Sequence, residues 1–121
     1  MINCLMRRAL TAVAGAALLS GVTILGLWPE ATAAGSAEIA IQNFAFLPPA
    51  LTVAPGTAVT WNNKDEEPHN IVNVPGAGQA RVFRSQAVDG GDKYSFVFNE
   101  AGTYKYICSI HPHMEGIVVV K

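Results

Sequence analysis

The sequence predicts an all-β protein, a small Greek-key β-sandwich of about seven to eight strands that spans residues 34–121. Short runs in which apolar and polar residues alternate fill this part of the chain, and no helical period accompanies them. Proline and glycine pairs separate the runs at short intervals. A length of 121 residues is enough for a single domain of this kind.

Each alternating run predicts one element of the sandwich. We expect strands at residues 38–46, 51–53, 57–62, 70–74, 93–98, 103–108 and 116–121, with one further short strand at residues 82–85. Turns are predicted at Pro55-Gly56, Pro75-Gly76 and Gly90-Gly91. The expected core consists of Phe44, Phe46, Val59, Trp61, Phe96, Phe98, Tyr104 and residues 118–120.

Residues 1–33 have the layout of a secretory signal peptide. Arg7 and Arg8 precede an uncharged, largely apolar run at residues 9–28, and small residues follow, so we expect cleavage after Ala33, with Ala34 as the alternative, and export to the periplasm or beyond. The run is close to the ~20 residues that span a bilayer, which leaves an uncleaved membrane anchor as the alternative. Two adjacent arginines also leave twin-arginine export open beside the general route.

The charge balance and the cysteine count exclude several classes of protein. Eight basic residues against nine acidic ones give a net charge of −1, without the positive field that binds nucleic acid. Cys4 and Cys108 are the two cysteines, too few for a disulfide scaffold or a four-cysteine zinc site. Removal of the signal peptide leaves Cys108 alone, and a lone exported thiol is expected to be buried or bound to a metal.

Potential metal ligands are concentrated in residues 108–114, where Cys108, His111, His113 and Met114 fall within seven positions. One cysteine, two histidines and a weakly bound methionine are the ligand set of a blue-copper electron-transfer site. His69 is the only histidine outside this cluster, and it precedes a predicted strand. Zinc is the rival ion, but zinc rarely binds thioether, and a catalytic zinc site needs a general base that the cluster lacks. The sequence shows no Ser/His/Asp set, phosphate-binding glycine loop or pair of catalytic carboxylates, so we expect a protein that is not an enzyme.

Residues 37–121 resemble the cupredoxin family of small blue-copper proteins. The motifs that carry this resemblance are Phe44-x-Phe46-x-Pro48, Val53-x-Pro55-Gly56-Thr57, Pro68-His69-Asn70 and Ala101-Gly102-Thr103-Tyr104-x-Tyr106-x-Cys108-x-x-His111-Pro112-x-Met114. Two residues separate Cys108 from His111 and two separate His111 from Met114, a spacing that resembles the amicyanin branch most closely. Plastocyanins and pseudoazurins have a longer segment between the histidine and the methionine.

The resemblance implies a role for each of these residues around one type 1 copper ion. His69, Cys108 and His111 would be the strong equatorial ligands, and Met114 the weak axial one. Asn70 would donate its backbone N–H to the Cys108 sulfur and join its side chain to Ser109, contacts of the kind that orient ligands. Pro68, His111 and Pro112 would form the apolar face through which electrons pass.

Two positions depart from the amicyanin pattern: Ile110 replaces a proline and His113 replaces an aromatic residue. Ile110 restores an N–H donor near the sulfur, so a subtype-specific reduction potential does not transfer to this chain. We interpret His113 as a solvent-facing loop residue, with a transient copper contact as the alternative. The acidic run at residues 65–67 is interpreted as a solvated turn that could steer a basic partner.

The function predicted from these observations is one-electron transfer by a copper ion that cycles between Cu(I) and Cu(II). A periplasmic copper carrier or sequestration protein is the alternative, and a plain interaction module is a weaker third reading. The resemblance implies redox partner proteins, with a dehydrogenase as donor and a c-type cytochrome as acceptor. We expect a monomer that contacts a membrane only if the N-terminal segment is retained.

The signal-peptide prediction is tested by the intact mass of the protein recovered after export. Because small residues at positions 31 and 33 suit signal peptidase, the expected mass is that of residues 34–121. A mass that includes residues 1–33 would instead indicate the uncleaved anchor.

Overall fold

The computed structural model describes residue 26 and residues 35–121. Apart from residue 26, the predicted signal peptide lies outside the described residues. Within them, no helix has the length and apolar character needed to cross a bilayer. The strands are β1 (Ser36–Gln42), β2 (Ala45–Leu47), β3 (Ala50–Val53), β4 (Thr57–Asn63), β5 (Val72–Asn73), β6 (Lys93–Phe98), β7 (Gly102–Ile107) and β8 (Glu115–Val120). The prediction of an all-β fold with seven to eight strands is confirmed.

The strands form two four-stranded sheets of mixed direction. One sheet has the order β2-β1-β4-β6 and the other has the order β3-β8-β7-β5. The pairs β1/β4 and β3/β8 are parallel, and the remaining neighbours are antiparallel. Buried side chains from both sheets belong to one hydrophobic cluster, which makes the molecule a sandwich around a single core.

Strand β4 shows how the sequence pattern produces the core. Its alternate residues Thr57, Val59, Trp61 and Asn63 are buried, while the residues between them are partly exposed. This is the two-residue period of a strand with one face against the core. Trp61 is the largest fully buried side chain, and aromatic rings surround it: Phe83, Tyr94, Phe98 and Tyr106.

Some predictions about strands and core need correction. The strand expected at residues 38–46 is interrupted by a turn at Asn43 and Phe44, because β1 and β2 pair antiparallel and the chain must reverse between them. Phe44 is therefore 38% exposed rather than part of the core. Phe96 and Tyr104 are partly buried and pack against the core as predicted. Val119 alternates with the buried Val118 and Val120, so it lies on the opposite face of β8 and is not part of the core. The strand predicted at residues 82–85 is present only as one isolated backbone bridge, between Arg84 and Val72.

Three strand pairings bring separate parts of the chain to one end of the sandwich. The parallel pairing of β1 with β4 places Ile41 beside Asn63, so the turn after β1 and the loop after β4 emerge together. The antiparallel pairing of β5 with β7 places Val72 beside Ile107. The pairing of β7 with β8 places Ile107 beside Glu115, so residues 108–114 form the loop at the same end.

Substitution of Gly116 by alanine tests the packing between β7 and β8. Gly116 lies opposite Tyr106, and a Cβ at this position would overlap the phenol ring of Tyr106, which is only 1% exposed and has little room to move. We expect Gly116→Ala to lower the free energy of unfolding by about 1–3 kcal/mol in urea titrations. The matched control is Gly102→Ala, where the new Cβ would lie 3.5 Å from Tyr104, an ordinary contact. Equal stability of the two variants would contradict this account.

Candidate metal centre

His69 occupies a rigid position in the loop between β4 and β5. Its backbone N–H donates to the carbonyl of Val88 at 3.1 Å, and its carbonyl accepts from the N–H of Val88 at 2.7 Å. This pair of bonds forms an isolated antiparallel bridge that holds both the N–H and the carbonyl of His69 against Val88. The imidazole is fully buried, so its direction is fixed by the surrounding protein.

Cys108 follows directly after β7 and is also fully buried. The register of β5 against β7, continued past the strand ends, places Asn70 opposite Ser109. The backbone N–H of Asn70 donates to the Cys108 sulfur at 3.5 Å. The side chain of Asn70 accepts from the Ser109 N–H and donates to the Ser109 hydroxyl, both at 2.7 Å. The segments that carry His69 and Cys108 are thus joined beside the sulfur.

The loop at residues 108–114 is closed by its own backbone hydrogen bonds. The N–H of Met114 donates to the carbonyl of His111 at 2.9 Å, and the N–H of Cys108 donates to the carbonyl of Met114 at 3.1 Å. Met114 is buried at 2% exposure, whereas His111 is half-buried. The short spacing from Cys108 to Met114 therefore turns all three side-chain positions back toward the end of the sandwich.

Three donor atoms converge on one point between these segments. Nδ1 of His69 and Nδ1 of His111 are 3.2 Å apart, and the Cys108 sulfur lies 3.9 and 3.8 Å from them, respectively. A point equidistant from all three lies about 2.1 Å from each, close to the ~2.0–2.1 Å and ~2.3 Å at which a metal ion such as zinc binds imidazole and thiolate. One cysteine and two histidines suit copper, so the donor set fits a mononuclear copper centre.

Asp65 contributes to this centre in a way that the sequence did not reveal. Its Oδ2 atom lies 2.9 Å from Nε2 of His69, and its carboxylate also accepts from the backbone N–H groups of Asn43 and Phe44. Burial works to raise the pKa of Asp65, but the hydrogen bonds from Phe44, Asn43 and His69 prevail and hold the pKa below its usual value. The interpretation of Asp65 as part of a solvated turn is wrong, whereas Glu66 and Glu67 are exposed as expected.

Phe44, predicted to lie in the core, contacts both histidines instead. Its ring meets those of His69 and His111 edge to face, with centroid distances of 5.2 and 5.0 Å. A carboxylate four residues before a histidine is the one sequence signal that could have drawn attention to Asp65. The position of Phe44 depends on a turn distant in sequence, and no local pattern indicates it.

The remaining predicted residues are exposed neighbours of the histidines in sequence. Pro68 and Pro112 are exposed beside the two histidines in sequence, and Ile110 is 47% exposed. His113 is exposed, with its ring centroid 6.4 Å from that of His111. The structure therefore places His113 on the solvent side of the loop and does not include it among the three converging donors.

Comparisons with known proteins agree with this chemistry. A model of the copper binding proteins of the plastocyanin/azurin family matches residues 33–121. Amicyanin-alpha of Methylorubrum extorquens is 40% identical over 73% of this chain and 74% of its own length, and amicyanin of Paracoccus versutus is 32% identical over 96% of each chain. A solved Cu(I) form of an amicyanin mutant superposes with a TM-score of 0.66 and 39% identity, covering 72% of this chain and 83% of the other. The protein thus belongs to the plastocyanin/azurin family of copper-binding proteins, and copper is its cofactor.

Proposed function

We propose that this protein is a one-electron carrier in which His69, Cys108, His111 and Met114 hold one type 1 copper ion. The observation that carries the proposal is the convergence of a buried cysteine sulfur and two imidazole nitrogens within 4.8 Å of one another. The ion would supply the Cu(II)/Cu(I) couple, and Met114, closed into the same loop, would be the weak axial ligand.

The rigidity of the ligands supports electron transfer over catalysis. Val88 holds the backbone of His69, Asn70 joins the ligand segments, and backbone bonds close the loop that carries Cys108. Ligands that cannot move impose one geometry on both oxidation states, which keeps the reorganisation between them small. A catalytic metal requires an open coordination position for substrate, whereas here Phe44 covers both imidazoles.

We propose that electrons enter and leave through the edge of His111. This imidazole is the half-buried member of the donor set, while His69 and Cys108 are fully buried. Pro68, next to His69 in sequence, and Ile110 and Pro112, on either side of His111 in sequence, are exposed and would give a partner protein a mainly apolar face to contact. The similarity to amicyanins supports redox proteins as partners, with a dehydrogenase as donor and a c-type cytochrome as acceptor.

We also propose that the protein acts outside the cytoplasm. The signal-peptide layout of residues 1–33 supports export, and burial of Cys108 among copper ligands would protect a lone thiol in an oxidising compartment. This proposal concerns location alone, and the copper chemistry does not depend on it.

Copper retention during redox cycling distinguishes the electron carrier from a copper carrier. Because two donors are fully buried, we expect the copper-loaded protein to keep its ion through repeated ascorbate reduction and ferricyanide oxidation. Electron self-exchange, measured by NMR line broadening, should be much faster than loss of copper to a chelator. Cys108→Ser is the control and should lose the ion readily. If the wild-type protein lost copper to the chelator faster than it exchanged electrons, the result would favour the copper carrier.

Asn70→Ala tests the role proposed for the link between the ligand segments. The substitution removes two hydrogen bonds of 2.7 Å to Ser109 and leaves the Ser109 N–H without its partner. We expect the free energy of unfolding of the copper-free protein to fall by about 1–3 kcal/mol. Asn62→Ala is the matched control, because among the described residues the Asn62 side chain makes a single exposed bond, of 3.3 Å, to Glu38. An effect no larger than that of the control would contradict the proposed role.

A further inference from the structure

The turn between β1 and β2 has an unusual backbone that is anchored by a single carboxylate. Asn43 and Phe44 have φ values of 53° and 57°, in the left-handed region that residues other than glycine rarely adopt. Their successive N–H groups point to the same side chain: Asn43 donates to Oδ1 of Asp65 at 2.7 Å and Phe44 donates to Oδ2 at 3.0 Å. Consecutive N–H groups in such a turn form a concave site for an anion, and here the anion is the Asp65 carboxylate.

The same carboxylate determines which nitrogen of His69 is free to bind a metal. An ionised carboxylate only accepts hydrogen bonds, so the 2.9 Å contact between Oδ2 and Nε2 places the proton of the neutral ring on Nε2. Nδ1 of His69 is then left with its lone pair, and this is the atom that faces the Cys108 sulfur and the His111 ring. Asp65 thereby selects the tautomer that ligates and fixes the orientation of the ring.

The turn also determines where the Phe44 ring lies. With its backbone held by Asp65, Phe44 meets the rings of His69 and His111 at interplanar angles of 86° and 85°. One carboxylate thus acts on His69 directly, through a hydrogen bond, and on both histidines indirectly, through the ring that covers them. The link is possible because β1 and β4 are parallel and end together.

We propose that Asp65 is a positioning residue that orients His69 for copper before the ion binds. Asp65 also holds Phe44 in place, and the Phe44 ring keeps water away from the centre. This inference rests on the proposed copper ligation. The two residues have opposite electronic effects. The negative charge on Asp65, transmitted through His69, favours Cu(II), whereas the apolar ring of Phe44 keeps water away and favours Cu(I).

The first test compares Asp65→Asn with Glu66→Gln in the copper-loaded protein. Both variants lose one negative charge from neighbouring positions, but Glu66 is exposed and makes no side-chain hydrogen bond among the described residues. For Asp65→Asn we expect a higher reduction potential and a Cu(II) affinity lowered about tenfold or more, with a smaller loss of Cu(I) affinity. The amide proton resonances of Asn43 and Phe44 should also move. Glu66→Gln should have little effect on the reduction potential, the copper affinities or these amide resonances.

A purely structural role for Asp65 would lower the unfolding midpoint of Asp65→Asn but leave the potential and the Cu(II) affinity of the folded protein equal to those of Glu66→Gln. That result would overturn the inference. The proposed function would still stand if the variant kept a thiolate–copper spectrum. Failure of the unsubstituted protein to give that spectrum would overturn the proposed function instead, so the two failures are distinguishable.

Phe44→Ala keeps the inference testable even if Asp65→Asn does not fold. Phe44 is 38% exposed, so its removal leaves the core intact. We expect the Cu(II) form of this variant to relax water protons more strongly and to have a lower reduction potential, the opposite direction from Asp65→Asn. Leu47→Ala, at an apolar residue that is 44% exposed on β2, is the matched control and should change neither quantity. Unchanged water relaxation and potential in Phe44→Ala would refute the covering role.

Discussion

The copper centre depends on the antiparallel pairing of β5 with β7. This pairing is only two residues long in regular strand geometry, but its register continues past the strand ends and places Asn70 against Ser109 and the Cys108 sulfur. His69, one residue further, is held from its other side by Val88. The two buried donors therefore meet because backbone hydrogen bonds align their strands.

The remaining ligands are added to this frame by one tight loop. A loop of seven residues, 108–114, returns the chain from β7 to β8, and its internal hydrogen bonds place His111 beside Cys108, while Met114 in the same loop is buried. The donor atoms lie in a geometry that suits a metal ion, and the backbone that carries them is already held by hydrogen bonds. Such preorganisation is what an electron carrier needs, because the two oxidation states must share one set of ligand positions. The half-buried imidazole of His111 is the proposed route for electrons to a partner.

Local sequence pattern was enough to predict the sandwich, the strand at residues 93–98 and the side chains that gather near Cys108. These features depend on alternation and short spacing, which a sequence displays directly. The roles of Phe44 and Asp65 could not be predicted in this way. Phe44 has the apolar character of a core residue, and Asp65 lies in an acidic run that resembles any solvated turn. Only the parallel pairing of β1 with β4 brings Asp65 to the turn that carries Phe44, a contact between residues about twenty positions apart.

The visible and EPR spectra of the copper-loaded protein test the central claim most directly, because they report the identity and geometry of the ligands together. The account predicts an intense thiolate-to-Cu(II) absorption, bleached by ascorbate, and an EPR signal with the small copper hyperfine splitting of a type 1 site. Both features should disappear in Cys108→Ser. A colourless protein, or a Cu(II) signal that is unchanged by this substitution, would show that Cys108 is not a ligand and would contradict the account.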